Sequence, residues 1–396
     1  MVTEQRVALQ HCELMDPGDI ASWLSLGGPQ GLNQAREMSP SQVVDTIKLS
    51  GLRGRGGAGF PVGLKWELAG KAPADVKYVL CNADEGEPGT FKDRYILEHD
   101  PFTLIEGIAI ACYATGARQA FIYLRGEYHY LLGPLHQTIR QVDERTEIDC
   151  RIDILEGAGA YVCGEETALM ESLEGKRGEP RFRPPFPPTE GLWGKPTIIN
   201  NVETLMNVPR IMARGADWFK GLGTDQSNGT KVFSVSGDVE RPGVYEVAMG
   251  TPLRDLVEGL AGARDVKMVQ VGGASGRVVP SSRIDTPLSF ETVLGAGAVI
   301  VYNTSRDVLD VALGTAEFFV EESCGKCAPC REGTLVMAET LERISQGQGR
   351  TQDLANLQDL AEVMALASLC GLGQAAPNCF VDTLQHFKEE YEARVR

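Results

Sequence analysis

The sequence predicts an α/β protein with a parallel-sheet domain, a small α+β module and a C-terminal bundle of helices. Three observations support this fold class. Short apolar strands alternate with helices from Val76 to about Gly215, and a second set of strands begins after a glycine-rich polar stretch at 220–229. Beyond Arg306 the pattern is helical. Alternating strands and helices are typical of βαβ units, whose strands form a mainly parallel sheet.

The elements of the first domain follow from local patterns. Residues 1–40 are predicted to form a helical N-terminal segment. Ser39 is the expected N-cap of the next helix, with Pro40 at its first position. The sheet domain is assigned to 41–220, with strands expected at 78–81, 120–124 and 150–155 and helices at 104–113 and 131–142.

The two remaining domains are shorter. The polar stretch at 220–229 is predicted to be a linker, and the α+β module is assigned to 230–305. Its strands are expected at 231–237, 244–247, near 269 and at 299–302, with a turn at 240–243 and a helix at 253–260. Helices at 308–322, 332–345, 352–367 and 381–395 fit a small four-helix bundle over 306–396.

Composition excludes several classes of function. The 396 residues include 38 Lys and Arg against 54 Asp and Glu, which gives a net charge of −16. This acidity argues against nucleic acid or anionic lipid as a partner. No apolar run approaches the ~20 residues of a membrane helix, and the start, Met1-Val-Thr-Glu-Gln-Arg, lacks the regions of a signal peptide. A cytoplasmic location is therefore expected.

The strongest chemical signal is Cys324-Gly-Lys-Cys327-Ala-Pro-Cys330, with Cys370 further along the chain. Three cysteines at steps of three and one remote cysteine can hold the four corners of a cubane iron–sulfur cluster. The alternative is a four-thiolate zinc site, but structural zinc usually takes two separated Cys-x-x-Cys pairs. Cys379 is an alternative fourth ligand. A disulfide framework is not expected in a large cytosolic chain.

A second signal is the glycine-rich run Gly54-Arg-Gly56-Gly57-Ala-Gly59, which matches G-x-G-x-x-G. A predicted helix precedes it, whereas the dinucleotide fingerprint requires a strand. Small residues can still bring backbone N–H groups close to a phosphate or a flat ring. The alternative is a flexible glycine loop without a ligand.

Polar residues also follow the predicted strands. The segment 81–90 comes after the first strand and contains Asn82, Asp84 and Glu87, and the segment 157–167 comes after the third. Ligands of parallel α/β sheets bind at the carboxyl ends of strands. A solvated acidic turn is the alternative, and paired carboxylates could also serve acid–base catalysis, although no nucleophile accompanies them. The amides at 200–201, interpreted as lying in a loop, could contact a polar ring edge or simply form a turn.

Together these motifs resemble the NADH-binding flavoprotein subunit of respiratory complex I and the diaphorase subunits of NAD-linked hydrogenases and formate dehydrogenases. The resemblance runs from about Ser41 to the C-terminus, with the motifs in the family's order. It implies hydride transfer between NAD(H) and FMN, followed by one-electron transfer to a [4Fe–4S] cluster. It also implies a Rossmann-like FMN/NADH domain, a ubiquitin-like β-grasp module and a helical bundle that carries the cluster.

The resemblance assigns residues to each cofactor by position. The residues expected around FMN are Gly54, Arg55, Gly56, Lys65, Asn82, Asp84, Glu87, Tyr161, Gly164, Glu165, Asn200, Asn201 and Thr204. Those expected to face NADH are Phe60, Glu87, Tyr161, Glu166 and Phe186. The cluster ligands are expected to be Cys324, Cys327, Cys330 and Cys370. The cofactors carry the chemistry, so no side chain is expected to act as a nucleophile.

Departures from the family pattern bear on the parent complex. Arg183 occupies a position where a lysine is expected near the nucleotide, and Leu68 one where complex I has an aromatic residue. The segment 368–374 resembles the hydrogenase and formate dehydrogenase branch more closely. The implied partners are a small [2Fe–2S] subunit and a catalytic subunit of a soluble hydrogenase or formate dehydrogenase, and electron bifurcation stays open.

Complex I is the alternative parent. A rival of another class is a non-catalytic scaffold with zinc in the cysteine site. A further rival, a membrane Na⁺-pumping electron-entry subunit, should carry two Cys-x-x-Cys-x-x-Cys-x-x-x-Cys-Pro runs, and the sequence has neither.

Overall fold

A four-stranded parallel sheet forms the centre of the first domain in the computed structural model, which describes residues 3–396. The strands lie in the order β3-β2-β1-β4. Their bounds are β1 Tyr78–Ala83, β2 Gln119–Leu124, β3 Arg151–Glu156 and β4 Thr197–Asn201. The three expected strands are present, and β4 is an addition to them. Met1 and Val2, which belong to the segment used to argue against a signal peptide, lie outside the described residues.

Helices pack on both faces of this sheet. One of them, α6, is buried on nearly every side, as expected for a helix that is apolar all round. Asp100 caps its first turn, and Gly116 ends it with φ +76°. The helix bounds are α1 Ile20–Ser25, α2 Gln30–Arg36, α3 Pro40–Leu49, α4 Val62–Lys71, α5 Lys92–His99, α6 Pro101–Thr115, α7 Leu132–Thr146, α8 Glu166–Leu173, α9 Val202–Arg214 and α10 Ala216–Lys220.

Two N-terminal features are fixed by specific side chains. Ser39 caps α3 through a capping box with Gln42, which confirms the helix start predicted at Ser39 and Pro40. The preceding segment belongs to the core of the first domain, where Trp23 is fully buried. The Glu246 carboxylate accepts the backbone N–H groups of residues 7, 8 and 9 at 2.8–2.9 Å. This carboxylate lies in the second domain and therefore ties the N-terminal segment to it.

The second domain is a five-stranded mixed sheet in the order β6-β5-β9-β7-β8. β5 and β9 are parallel, and the other pairs are antiparallel. The strands are β5 Thr230–Gly237, β6 Gly243–Ala248, β7 Val266–Val271, β8 Arg277–Pro280 and β9 Ala298–Asn303. The predicted hairpin at 231–247 is present. The helix expected at 253–260 is a π-helical turn, Asp255–Leu260, and β8 is an additional strand.

The C-terminal region is helical, with bounds α11 Val308–Glu322, α12 Ala328–Ser345, α13 Thr351–Ala367, α14 Gly371–Ala375, α15 Asn378–His386 and α16 Lys388–Glu392. The single last helix expected at 381–395 is wrong, because Phe387 adopts a non-helical conformation between α15 and α16. The turn lets the Tyr391 hydroxyl lie 2.7 Å from the Thr383 hydroxyl, with both side chains buried. No helix within residues 3–396 is long and apolar enough to cross a membrane.

Candidate functional site

The carboxyl ends of the parallel strands form the edge where most of the predicted site residues lie. Asn82 of β1 is in register with Asn201 of β4. The strand order places β2 and β3 on one side of β1 and β4 on the other. The crevice between β1 and β4 is therefore the topological switch point of the sheet, where ligands of open α/β folds bind.

Asp84 lies just beyond the carboxyl end of β1. The Asn82 side chain accepts the Asp84 N–H at 3.1 Å and donates to the Gly164 carbonyl at 2.9 Å. Asp84 Oδ2 is buried and has no hydrogen-bond partner within residues 3–396. Burial raises the pKa of Asp84 to about 7. A buried acceptor without a partner fits the hydroxyl-rich chain of FMN, because an unmade buried hydrogen bond is costly.

The glycine-rich loop lies over the start of α9. The N–H of Gly54 donates to the Phe60 carbonyl at 2.9 Å, which closes the loop. A Cβ atom at Gly56 would lie 3.0 Å from the Asn201 Cβ, so a larger residue would crowd the crevice. Gly57 has φ +122°, a conformation that favours glycine. The loop thus brings backbone close to the crevice, as FMN binding requires.

The Arg55 side chain points away from the crevice. Its backbone N–H donates to the Thr204 hydroxyl at 2.8 Å. Its guanidinium donates to the carbonyl oxygens of Thr230, Arg53 and Asn228 at 2.7–3.0 Å, and the side chain is buried. Burial lowers the pKa of Arg55 to about 10. These contacts give the guanidinium a role at the boundary with the second domain, while the backbone of Arg55 stays at the loop.

Ion pairs organise the predicted nucleotide side. Lys65 pairs with Glu166 and donates to the Ile199 carbonyl at 3.0 Å. The Glu165 carboxylate accepts the first N–H groups of α8 at 2.9 and 3.0 Å, and it pairs with Arg183. Arg183 therefore neutralises a neighbouring carboxylate, which leaves its charge less available to an incoming phosphate.

Two of the predicted NADH-facing residues are exposed aromatic rings. The exposed fractions of Phe60 and Phe186 are 45% and 55%. The Lys65 Nζ atom lies 5.9 Å from the centroid of the Phe60 ring. Exposed aromatic faces are suited to stacking on a flat ring.

Glu87 and Tyr161 form a polar junction of all three domains. Glu87 accepts hydrogen bonds from the Tyr161 hydroxyl at 2.7 Å and from the Ser275 N–H at 2.9 Å. Burial raises the pKa of Glu87. The Tyr161 N–H donates to the Glu322 carboxylate at 2.9 Å, and its ring lies 5.1 Å from that of Phe318 on α11.

The two asparagines lie in a strand, and the loop predicted for them is wrong. They end β4, and Asn201 is the N-cap of α9 through a hydrogen bond from the Glu203 N–H at 3.1 Å. The side-chain oxygen of Asn200 accepts the Trp66 indole N–H at 2.9 Å. Strand pairing with β1 explains the difference, since it holds both residues extended beside Asn82.

The four predicted cluster ligands line one small cavity. Val162 and Pro180 of the first domain form part of its wall. Four thiols around one cavity fit a [4Fe–4S] cluster, which is bound by Cys thiolates. Cys379 is buried on α15 and is not part of the lining. Within residues 3–396, no three His, Cys, Asp or Glu side chains converge on a single metal-ion position.

The sequence did not predict a buried ionic network beside the crevice. Lys92 pairs with Asp93 and with Glu203, both at 2.8 Å, and Lys231 pairs with Glu203 at 2.6 Å. The Asn201 amide donates to Asp93 at 2.6 Å. The network connects the predicted site to β5. Glu203 lies inside the motif that contains the two asparagines, but neither lysine carries any signal in the sequence.

Comparisons with known families agree with this geometry. Residues 47–210 match the family described as the Nuo51 FMN-binding domain. Residues 232–278 match the SLBB domain, and residues 310–394 match the NADH-ubiquinone oxidoreductase-F iron-sulfur binding region. The expected cofactors, FMN and a [4Fe–4S] cluster, are thereby confirmed.

Individual relatives are similar over most of the chain. The NADP-reducing hydrogenase subunit HndC of Solidesulfovibrio fructosivorans is 43% identical over 98% of this chain and 83% of its own. An NADH-quinone oxidoreductase subunit of Rhizobium meliloti is 44% identical over 98% of this chain and 97% of its own. The crystal structure of an NAD⁺-reducing [NiFe]-hydrogenase in the H₂-reduced state superposes with a TM-score of 0.90 at 42% identity, covering 96% of this chain and 67% of that chain.

Proposed function

This chain belongs to the family of FMN-binding NADH dehydrogenase subunits that carry SLBB and [4Fe–4S] domains, and on that premise we propose a route for its electrons. The chain is an NADH-oxidising, diaphorase-type oxidoreductase subunit. In the proposed route a hydride passes between NAD(H) and FMN, and electrons then pass singly to the chain's own cluster and on to partner subunits.

The observation that carries this proposal is the shared wall between the two cofactor sites. Val162 lines the cysteine cavity, and the adjacent Tyr161 hydrogen-bonds Glu87 at the FMN/NADH crevice. Pro180, which lies in the segment leading to the exposed Phe186, also lines that cavity. The two proposed sites therefore share one stretch of backbone, which supports direct transfer between them.

The protein's part in this chemistry is positioning and exclusion of water. Bound FMN would supply hydride acceptance and one-electron release. In the proposed site Asp84 accepts from ribityl hydroxyls, and the glycine loop offers backbone N–H groups. Phe60 and Phe186 would contact the nucleotide. Glu87, held by Tyr161 and Ser275, keeps a buried carboxyl at the junction of the domains.

For the parent complex, we infer a hydrogenase-type or formate dehydrogenase-type assembly with a small [2Fe–2S] subunit and a catalytic subunit. The hydrogenase-like segment 368–374 supports this choice, and so does the 43% identical HndC. The respiratory alternative has equal support from the 44% identical Rhizobium meliloti protein. Co-purification from the native host followed by mass spectrometry decides between them, since a hydrogenase or formate dehydrogenase large subunit should be present in one case and absent in the other.

The catalytic proposal is tested on the single chain, purified without oxygen. We expect NADH to reduce ferricyanide and to produce the electron paramagnetic resonance signal of a reduced [4Fe–4S] cluster. Hydrogen and formate should not be oxidised, because the chain carries no motif for either reaction. Turnover of hydrogen or formate by the single chain, or a cluster that NADH cannot reduce in the FMN-loaded protein, would contradict the proposal.

A further inference from the structure

The connection that follows α8 contacts the loop that carries the first cluster cysteines. Arg177 donates from Nη2 to the backbone oxygen of Cys324 at 2.7 Å. Lys326 donates to the Pro180 carbonyl at 2.7 Å and pairs with Glu179 at 3.0 Å. The first domain therefore holds the cysteine loop through polar contacts as well as closing one side of its cavity.

Three cationic side chains lie on this loop or donate to it, and they differ in how their charge is compensated. Lys326 has Glu179 as its partner. Arg331 donates to the Gly325 carbonyl at 2.8 Å and pairs with Glu332 at 2.8 Å. Arg177 makes its backbone contact without an ion pair to any carboxylate within residues 3–396. Its charge is thus the uncompensated one of the three.

We propose that Arg177 raises the reduction potential of the [4Fe–4S] cluster from across the domain boundary, through the positive charge of its guanidinium. Reduction adds one negative charge to the cluster, and a nearby fixed positive charge favours the reduced form. Net charge and hydrogen bonding around a cluster are among the factors that set its potential. The inference rests on the proposed route, in which this cluster receives electrons from FMN.

Arg331 provides the comparison that separates charge from loop support. Both arginines donate to backbone carbonyls of the same loop, at Cys324 and Gly325. If loop support alone mattered, removing either guanidinium should have a similar effect. Because the Arg331 charge is offset by Glu332, the charge argument predicts a larger effect at Arg177.

The experiment uses the full chain purified anaerobically as wild type, Arg177→Gln, Arg177→Lys and Arg331→Gln. Iron, sulfide and FMN contents are measured first, so that loss of a cofactor is distinguished from a change in potential. The reduced cluster is then quantified by electron paramagnetic resonance over a series of fixed solution potentials, with reduction by dithionite as the full signal. NADH:ferricyanide activity, measured in parallel, reports on the proposed function independently.

In Arg177→Gln we expect the ratio of reduced to oxidised cluster at a fixed potential to fall by about three- to tenfold. A tenfold change corresponds to ~59 mV for one electron. Arg177→Lys should stay close to wild type, and Arg331→Gln should change by less than about twofold, since a paired surface charge has a small net effect. An unchanged potential in Arg177→Gln with full iron content would overturn the inference, as would equal shifts in Arg177→Gln and Arg331→Gln.

Discussion

Glu203 is the acid on which the buried junction between the first and second domains depends, and Glu203→Gln should destabilise the protein strongly. Its Oε2 atom lies 2.8 Å from Lys92 Nζ and 2.6 Å from Lys231 Nζ. Its Oε1 atom accepts the N–H of Val232 at 2.8 Å. The exposed fractions of all three ionic side chains are 1% or less, so water cannot solvate the lysine charges that lose their partner.

The expected loss is about 3–5 kcal/mol of unfolding free energy, the usual effect of removing one partner of a buried ion pair. In the wild type, Asp93 and Glu203 balance the two lysines. In the variant, Lys92 keeps Asp93 as its ion-pair partner, whereas Lys231 has no ion-pair partner left within residues 3–396. Because ΔG of unfolding is typically ~5–15 kcal/mol, the loss is a large fraction of the total.

The pH dependence of this loss follows from Lys231, whose pKa is lowered from 10.5 to about 7 by burial. Between these two values the unfolded chain binds a proton that the folded state does not. The free energy of unfolding is therefore highest above pH 10.5, the pKa of Lys231 in the unfolded chain, and decreases progressively as pH falls to about 7. Glu203 opposes the effect of burial on this pKa, so its removal extends the loss below pH 7. The deficit of Glu203→Gln should thus be larger at pH 6 than at pH 9.

The assay is urea denaturation followed by circular dichroism at pH 6 and 9. Glu258→Gln, which breaks the exposed pair with Arg254 at 3.0 Å, is the control and should change stability by less than about 0.5 kcal/mol. The double variant Glu203→Gln/Lys231→Met should recover part of the loss, because it removes the uncompensated charge. A loss below about 1 kcal/mol in Glu203→Gln, or no recovery in the double variant, would refute the reasoning.

Two further predictions concern the cofactors. Cys370→Ala should lose iron while Cys379→Ala retains it, because only Cys370 lines the cysteine cavity; iron and sulfide assays check this, and the reverse result would show that the ligand assignment is wrong. The wild type should prefer NADH to NADPH by about tenfold or more in kcat/KM, because Glu166 would repel the 2′-phosphate of NADPH. Two unit charges ~4 Å apart at an effective dielectric constant of ~20 repel each other by ~4 kcal/mol before screening by salt. The Lys65 ion pair reduces this repulsion in the wild type. Glu166→Gln removes the carboxylate charge, so the ratio of kcat/KM for NADH to that for NADPH should decrease. Equal use of both nucleotides by the wild type would contradict the preference.

Much of the site could be predicted because its signals are local. Three of the four predicted cluster cysteines lie within seven consecutive positions, and only the fourth is remote. The strand that precedes Asn82 and Asp84 is short and apolar. Parallel pairing then brings separate strand ends to one edge, so a local pattern was enough to predict a common site. The loop expected at 200–201 is wrong because these residues extend β4 through pairing with β1.

The buried ionic network could not be predicted because its members lie far apart in the sequence. Lys92 lies in α5, Glu203 in α9 and Lys231 in β5. Charged side chains are usually exposed, so a lysine in isolation predicts solvent contact. Arg55 shows the same limit: its motif predicted a loop at the cofactor, while the carbonyl groups that hold its guanidinium belong partly to residues 228–230.

The short 3₁₀-helix Tyr161–Gly164 connects the polar junction at Glu87 with the cysteine cavity. Tyr161 holds Glu87 on the crevice side, while Val162 lines the cysteine cavity. Adjacent residues of one turn thus contact the Glu87 junction and the cysteine cavity. Because Glu322 of α11 accepts the Tyr161 N–H, the helix leading into Cys324 is tied to the same turn. We therefore expect a change in the position of Tyr161 to be transmitted both to the Glu87 junction and to the loop that follows α11.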